Sequence, residues 1–219
     1  MNTIVSLLPE FQKAILETFY MLVIGLSVST VFGAIIGIFL YLWGQEKLLK
    51  NKPMHFFVGG LVNIVRSFPF VILMIAAGPV ARVVVGTTIG PLAASVPLAI
   101  AGTAYFARLV ELALLDVSKG AIEAAQSMGA SIPRIVFSVL LLEARSSLVL
   151  GFTTLSISYL SYSAAAGIIG GGGVGDLAIR YGYYRFQTDI MIATVVGLIV
   201  FVQIIQMLGN FLSRRLDKR

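Results

Sequence analysis

The sequence has no cysteine and a single histidine, and only 12 % of its 219 residues are charged. The missing cysteine excludes disulfides and thiolate metal sites. His55 cannot build a metal cluster alone. Charge at half the ~25 % usual for soluble domains excludes an ordinary soluble fold. With 58 % apolar residues, such a fold would leave large apolar patches in water. No G-x-x-x-x-G-K-S/T segment occurs, so the chain cannot hold a nucleotide by a P-loop. It also lacks a nucleophile–base pair and any cluster of His, Asp, Glu or Cys, which argues against a membrane enzyme. The net charge of +6 does not point to nucleic acid, because the cations collect in short segments between apolar runs.

Those apolar runs are the dominant feature. A helix crosses the hydrocarbon core with about 20 residues. Uncharged stretches of 28 residues after Glu17, 25 after Arg82, 30 after Arg145 and 24 after Asp189 all suffice. A fifth candidate has 13 uncharged residues from Pro53 to Val65 and 15 between Arg66 and Arg82. It reads as one helix through both halves, with Arg66 inside it or at its cytoplasmic mouth and Pro69 as a kink or interruption. The expected fold is an all-α membrane protein, one domain over 1–219, with five transmembrane helices near 15–42, 57–79, 88–110, 146–168 and 189–212. No acidic residue is expected to lie within a span, and an odd number of spans does not divide into equal halves. Both features argue against a self-sufficient secondary transporter, which often has inverted repeats and embedded carboxylates.

Orientation follows from lysine and arginine. With the N-terminus outside, the cytoplasmic side holds Lys47, Lys50, Lys52, Arg108, Lys119, Arg134, Arg145, Arg214, Arg215, Lys218 and Arg219, which is 11 cations. The outside holds Lys13, Arg82, Arg180 and Arg185, which is 4. The first apolar run has no basic segment ahead of it, so a cleaved signal peptide is not expected. Within that run Gly25, Ser29, Gly33 and Gly37 recur every four residues, a stripe suited to close helix packing.

The longest cytoplasmic segment, about 111–145, is too polar to span. Ser118 can cap a short helix over 119–128, Gly129 can end it, and Ser131 with Pro133 can start a second. Ile132, Ile135, Val136, Val139 and Leu140 give that second helix an apolar stripe. The pair forms a bent elbow at the membrane surface. Glu123 offers a carboxylate to a basic partner, and Ala124 and Ala125 allow a foreign surface to come close. An ordinary amphipathic surface helix is the plain alternative.

Glu123-Ala124-Ala125 followed by Gly129, with Val139 and Leu141 beyond, resembles the EAA loop of ABC importer permeases. Where the family pattern has proline, this chain has Leu142. Arg66-Ser67-Phe68-Pro69-Phe70 is similar to a segment of the methionine-uptake type, as are Tyr162-Ser163-Ala164, the glycines to Gly175, and Tyr181-Gly182-Tyr183. The resemblance covers nearly the whole chain. It implies a homodimeric permease in the cytoplasmic (inner) membrane that imports methionine (D- or L-). It also implies two copies of an ABC ATPase subunit and an extracytoplasmic substrate-binding protein. ATP and Mg would sit on the ATPase and no cofactor on this chain. Another amino acid or small solute remains the alternative cargo.

Gly170, Gly172 and Gly175 satisfy G-x-G-x-x-G but follow a membrane span and not a strand, so they are not a dinucleotide site. They suit a turn at the outer end of the fourth span, where an external binding protein could meet the chain. That fourth span is the most polar. Thr154, Ser158, Ser161 or Tyr162, and Ala165 share a face that can line a substrate pathway or bond to neighbouring helices and to the helix's own carbonyls. Hydroxyls mixed with small residues suit a moderately apolar zwitterion better than an ion filter. Arg66 has three readings: a partner for a substrate carboxylate, a snorkelling cation at cytoplasmic phosphates, or a brace for the next loop.

Overall fold

The computed structural model describes residues 7–44 and 48–217; Lys47, Lys218 and Arg219, three of the expected cytoplasmic cations, lie outside the described residues. Among the described residues every regular element is helical. The long helices are α1 (Leu8–Trp43), α2 (Lys52–Ser67), α5 (Pro91–Leu115), α9 (Arg145–Ile168) and α11 (Thr188–Leu216). Between them lie α3 (Phe70–Ala76), α4 (Gly78–Val85), α6 (Lys119–Ser127), α7 (Ile132–Ile135), α8 (Leu141–Glu143) and α10 (Gly173–Leu177). π-helical turns follow α7 at Val136–Leu140 and α10 at Ala178–Tyr183.

Among the described residues four helices, α1, α5, α9 and α11, are long and apolar enough to cross a membrane alone. The fifth expected span differs. Rather than one helix through 57–79, α2 stops at Ser67 and α3 leaves at 105° to it. The cause is local. Pro69 fixes its own φ at −56°, and its ring drives Phe68 to an extended φ of −72° and ψ of 131°. α2 also starts earlier than expected, because the Asn51 side chain accepts a hydrogen bond from the Met54 amide at 3.2 Å. Arg66 thus lies about 21 Å along the helix from Lys52, at 1.5 Å per residue. It stands at the opposite end from the lysines and not at a mouth beside them.

The core is built on the α1–α5 pair. A Cβ at Gly33 would sit 3.0 Å from the Thr103 carbonyl oxygen, and one at Gly37 would sit 2.5 Å from that of Ala107. The small-residue stripe is therefore a helix-packing seam, as its spacing predicts. Farther up, Gly25 of α1 and Gly102 of α5 make room for the Tyr159 ring of α9. Tyr159 is fully buried, and its hydroxyl donates towards the carbonyls of Leu98 at 2.6 Å and Gly25 at 3.0 Å. It also shares a short hydrogen bond with the Ser29 hydroxyl. One side chain thus joins three helices. α11 buries Ile190, Thr194, Gly209 and Ser213, packs Leu198 and Val202 against the core, and turns most of its other apolar surface outward, as a lipid-facing helix does.

The structure corrects the expectation about acidic residues. Glu17 lies inside α1, where its carboxylate accepts the Gly173 amide at 2.8 Å while the Thr18 hydroxyl accepts that of Val174 at 2.9 Å. Glu111 is buried near the end of α5 and is held by Arg108 at 2.7 Å.

Candidate functional site

Two places combine polar chemistry with accessibility: the elbow between α5 and α9, and a cavity at the α2–α3 break. In the elbow, the Ser118 hydroxyl accepts the Ala121 amide at 3.3 Å and opens α6. The helix ends as its glycine predicts. The Gly129 amide reaches the Gln126 carbonyl at 2.9 Å, and the Ala130 amide reaches that of Ala125 at 3.0 Å. This paired closure needs a left-handed residue, and Gly129 has φ of +73°. Nothing lies within 4 Å of a Cβ placed there, so the glycine serves backbone conformation and not space.

The elbow has two unlike faces. Ala125, Ile135, Val136 and Leu140 are buried in the same core as Tyr159, and Ile132 and Val139 pack against it. Glu123, Ala124 and Met128 face outward, Met128 being 80 % exposed. Ala125, expected on the docking side with Ala124, is instead an inward anchor because it falls on α6's core-facing side. Among the described residues Glu123 has no cationic partner. Leu142 is exposed, and the chain bends next to it at Ala144 without a proline. Behind the bend, Arg145 donates to the Leu216 carbonyl at 2.8 Å and Ser146 bonds Ser213 at 2.7 Å, tying α9 to the end of α11.

The cavity has a volume of about 200 Å³ and is lined by Val65, Arg66, Phe68, Phe70, Leu73, Ala101, Tyr105 and Tyr162. α2 brings Arg66, α3 brings Phe70 and Leu73, α5 brings Ala101 and Tyr105, and α9 brings Tyr162. Phe70 stacks on Tyr162 with ring centroids 4.4 Å apart, which pins the short α3 against α9. Arg66, Tyr105 and Tyr162 are the polar side chains of this lining. The structure therefore unites two expected pathway residues, Arg66 and Tyr162, and adds Tyr105.

Thr154, Ser158 and Ala165 do not line this cavity. They continue the face of α9 below and above Tyr162, with Thr154 exposed and the other two half-buried. The Thr154 hydroxyl donates to the Leu150 carbonyl and the Ser158 hydroxyl to that of Thr154, both at 2.9 Å. Their protons are thus committed to the helix backbone, leaving oxygen lone pairs toward the exposed face. The glycine turn after α9 is fixed from α1, by the Glu17 and Thr18 bonds to Gly173 and Val174. Sequence reasoning missed Tyr105, Tyr159, Glu17 and Thr18. The glycines opposite Tyr159 were the one available sign of that bulky ring.

The family model of the binding-protein-dependent transport system inner membrane component matches residues 29–219. A probable D-methionine transport system permease protein of Vibrio cholerae is 48 % identical over 203 residues, 93 % of this chain and 90 % of that one. The methionine import system permease protein of Bacillus subtilis is 41 % identical over 212 residues, 97 % of this chain and 96 % of its own. Among solved structures, a chain of the MetNI methionine ABC transporter in an inward-facing conformation superposes with a TM-score of 0.95 at 36 % identity. The match covers 97 % of this chain and 99 % of that one. An amino acid ABC transporter crystallised with histidines shares the fold, with a TM-score of 0.78 at 20 % identity.

Proposed function

Because the chain belongs to the family of binding-protein-dependent transport system inner membrane components, we propose that it is the permease of an ATP-driven methionine importer. It moves D- or L-methionine inward across the cytoplasmic membrane. The whole of 1–219 serves as one transmembrane domain, paired with a second copy of itself. Two ABC ATPase subunits, which hold ATP and Mg, supply the energy, and an extracytoplasmic binding protein delivers the cargo. The names of the relatives and of the superposing transporter support the methionine assignment.

The observation that carries this reading is the elbow. A chain without a P-loop must receive its work from another chain. The exposed Glu123–Ala124 face of α6 is a ready contact, and the opposite face is fastened in the helical core. Glu123 meets a basic residue of the ATPase, Ala124 allows close approach, and Ala125 and Gly129 hold the bend. Closure of the ATPase pair on ATP then favours one packing of the permease dimer over another, through contacts that differ between the two states. Thr154, Ser158, Tyr162 and Ala165 line the path, together with Arg66.

Co-purification tests the assignment directly. This chain should bring down a P-loop ATPase, which a secondary transporter would not do. Glu123→Arg and Gly129→Pro should leave the protein in the membrane yet separate ATP hydrolysis from methionine uptake in proteoliposomes. Normal ATP-driven uptake by both variants would count against the elbow as the site of coupling.

A further inference from the structure

The cavity at the α2–α3 break holds a cation without an anion. Arg66 lies about 21 Å along α2 from Lys52. An ionisable side chain within a membrane segment is costly, and such residues usually mark a pathway or a partner. Among the described residues Arg66 has no carboxylate partner, and no carboxylate lines its cavity. Tyr105 and Tyr162 line the same cavity and bring two further hydroxyl donors to it. A planar guanidinium flanked by two phenols is a donor set for a carboxylate, which accepts the fork of an arginine on both oxygens.

The rest of the cavity is apolar and aromatic: Phe68, Phe70 and Leu73. α2 also ends here, and the last turn of a helix leaves carbonyls without intrahelical partners and carries partial negative charge. Those carbonyls can take an ammonium. The volume of about 200 Å³ suits a small metabolite and not a peptide.

From this we infer that the cavity is a substrate site within the permease itself. Arg66, Tyr105 and Tyr162 bind the carboxylate of a zwitterionic amino acid, and Phe68, Phe70 and Leu73 receive its apolar side chain. The chain thus selects for a free carboxylate independently of any external binding protein. The inference rests on the importer reading above and deepens it.

The absence of cysteine makes the test clean. Leu73→Cys and Ala101→Cys each place one thiol in the cavity, from opposite sides. The complete complex with its ATPase is purified without a binding protein and exposed briefly to a small thiol-modifying reagent. Modification of this chain is read by mass spectrometry. L-methionine should slow labelling of both thiols. Methioninamide, with the same side chain but no carboxylate, should require about tenfold more ligand for the same protection, the scale of one charge-assisted hydrogen bond. Arg66→Gln should lose the protection by methionine, and Arg66→Lys should keep part of it. Glycerol 3-phosphate, which stands in for a lipid headgroup, should not protect.

Protection by methioninamide equal to that by methionine would overturn the carboxylate assignment. So would equal protection by glycerol 3-phosphate, retained protection in Arg66→Gln, or no protection by methionine at all. ATP-driven uptake by Ala101→Cys, a position given no contact with the ligand, is measured alongside with binding protein restored. If uptake proceeds but protection fails, the cavity inference falls alone. If no ATPase accompanies the chain, the importer reading falls first.

Discussion

Tyr159→Phe removes one oxygen from the meeting point of α1, α5 and α9 and leaves the ring that fills the space between Gly25 and Gly102. The packing term is thereby held constant. A phenol has one proton to donate. The Leu98 carbonyl at 2.6 Å is its closest acceptor, with the Gly25 carbonyl second at 3.0 Å. The Ser29 hydroxyl can donate to the phenol oxygen or to the Ala99 carbonyl at 3.1 Å. The substitution therefore deletes about two effective hydrogen bonds. Side-chain hydrogen bonds between membrane helices average about 0.6 kcal/mol, with a ceiling near 1.7. The expected loss is about 1.2 kcal/mol and at most about 3.4. The assay is reversible unfolding of the purified permease in mixed micelles with increasing denaturing detergent. Ser29→Ala provides the second arm of a double-mutant cycle. If the two hydroxyls act as one unit, the double variant should cost less than the sum of the singles by about 0.5 kcal/mol or more. Additivity within about 0.3 kcal/mol would refute the shared bond.

Two further outcomes follow from the packing. Gly37→Ala should destabilise by about 1–3 kcal/mol, because its Cβ would stand 2.5 Å from the Ala107 carbonyl oxygen and 2.7 Å from the Val110 Cβ. The matched change Gly60→Ala, in α2 with nothing within 4 Å, should be neutral or stabilising in the same unfolding assay; equal losses at both positions would contradict the seam. Glu17→Gln should weaken the hold of α1 on the glycine turn. Hydrogen exchange should then rise at the Gly173 and Val174 amides while Ala107, in the core, stays protected, and unchanged exchange at 173–174 would argue against that clamp.

The spans were legible because bilayer thickness writes itself into the sequence as length without charge. α9, expected at 146–168, forms over Arg145–Ile168, and α11, expected at 189–212, over Thr188–Leu216. The second span was read as one helix kinked or interrupted at Pro69, and the interruption is what forms, at an angle hydropathy could not give because it is blind to direction. Residues 57–79 are apolar on both sides of Pro69, and only the backbone rule for the residue before proline distinguishes a kink from a turn of 105°. The elbow was legible in its local chemistry, since Ser118, Gly129 and Pro133 each act within a few residues. Its facing was less so. Ala124 and Ala125 are alike in sequence, and only the packing of α6 against the core separates the exposed one from the anchor. Tyr105 and Tyr159 could not be found in this way, because what gives them a role lies on helices distant in sequence.

The cavity stands between parts of unequal packing, which bears on how it could serve alternating access. Tyr105 and Tyr162 belong to α5 and α9, which share a continuous core with α1 and with the elbow's Ala125, Ile135, Val136 and Leu140. Close-packed interiors transmit strain and do not absorb it. Force on the elbow therefore reaches the tyrosine wall through packed side chains. Arg66, Phe68 and Phe70 form the other wall, on α2 and α3 and the join between them, where Val62 and Met74 are the buried residues. The α2 side of that wall is fastened by a small cluster of Leu40, Val62, Ala104 and Ala107, whereas the α3 side joins the main core through Met74, with Phe70 packed against it and stacked on Tyr162. A carboxylate gripped by Arg66 on one wall and by two phenols on the other is held only while the walls are close. A thiol at Leu73 reports on the Arg66 wall and one at Ala101 on the tyrosine wall. Together they separate a site that closes around its ligand from one that merely lies beside its path.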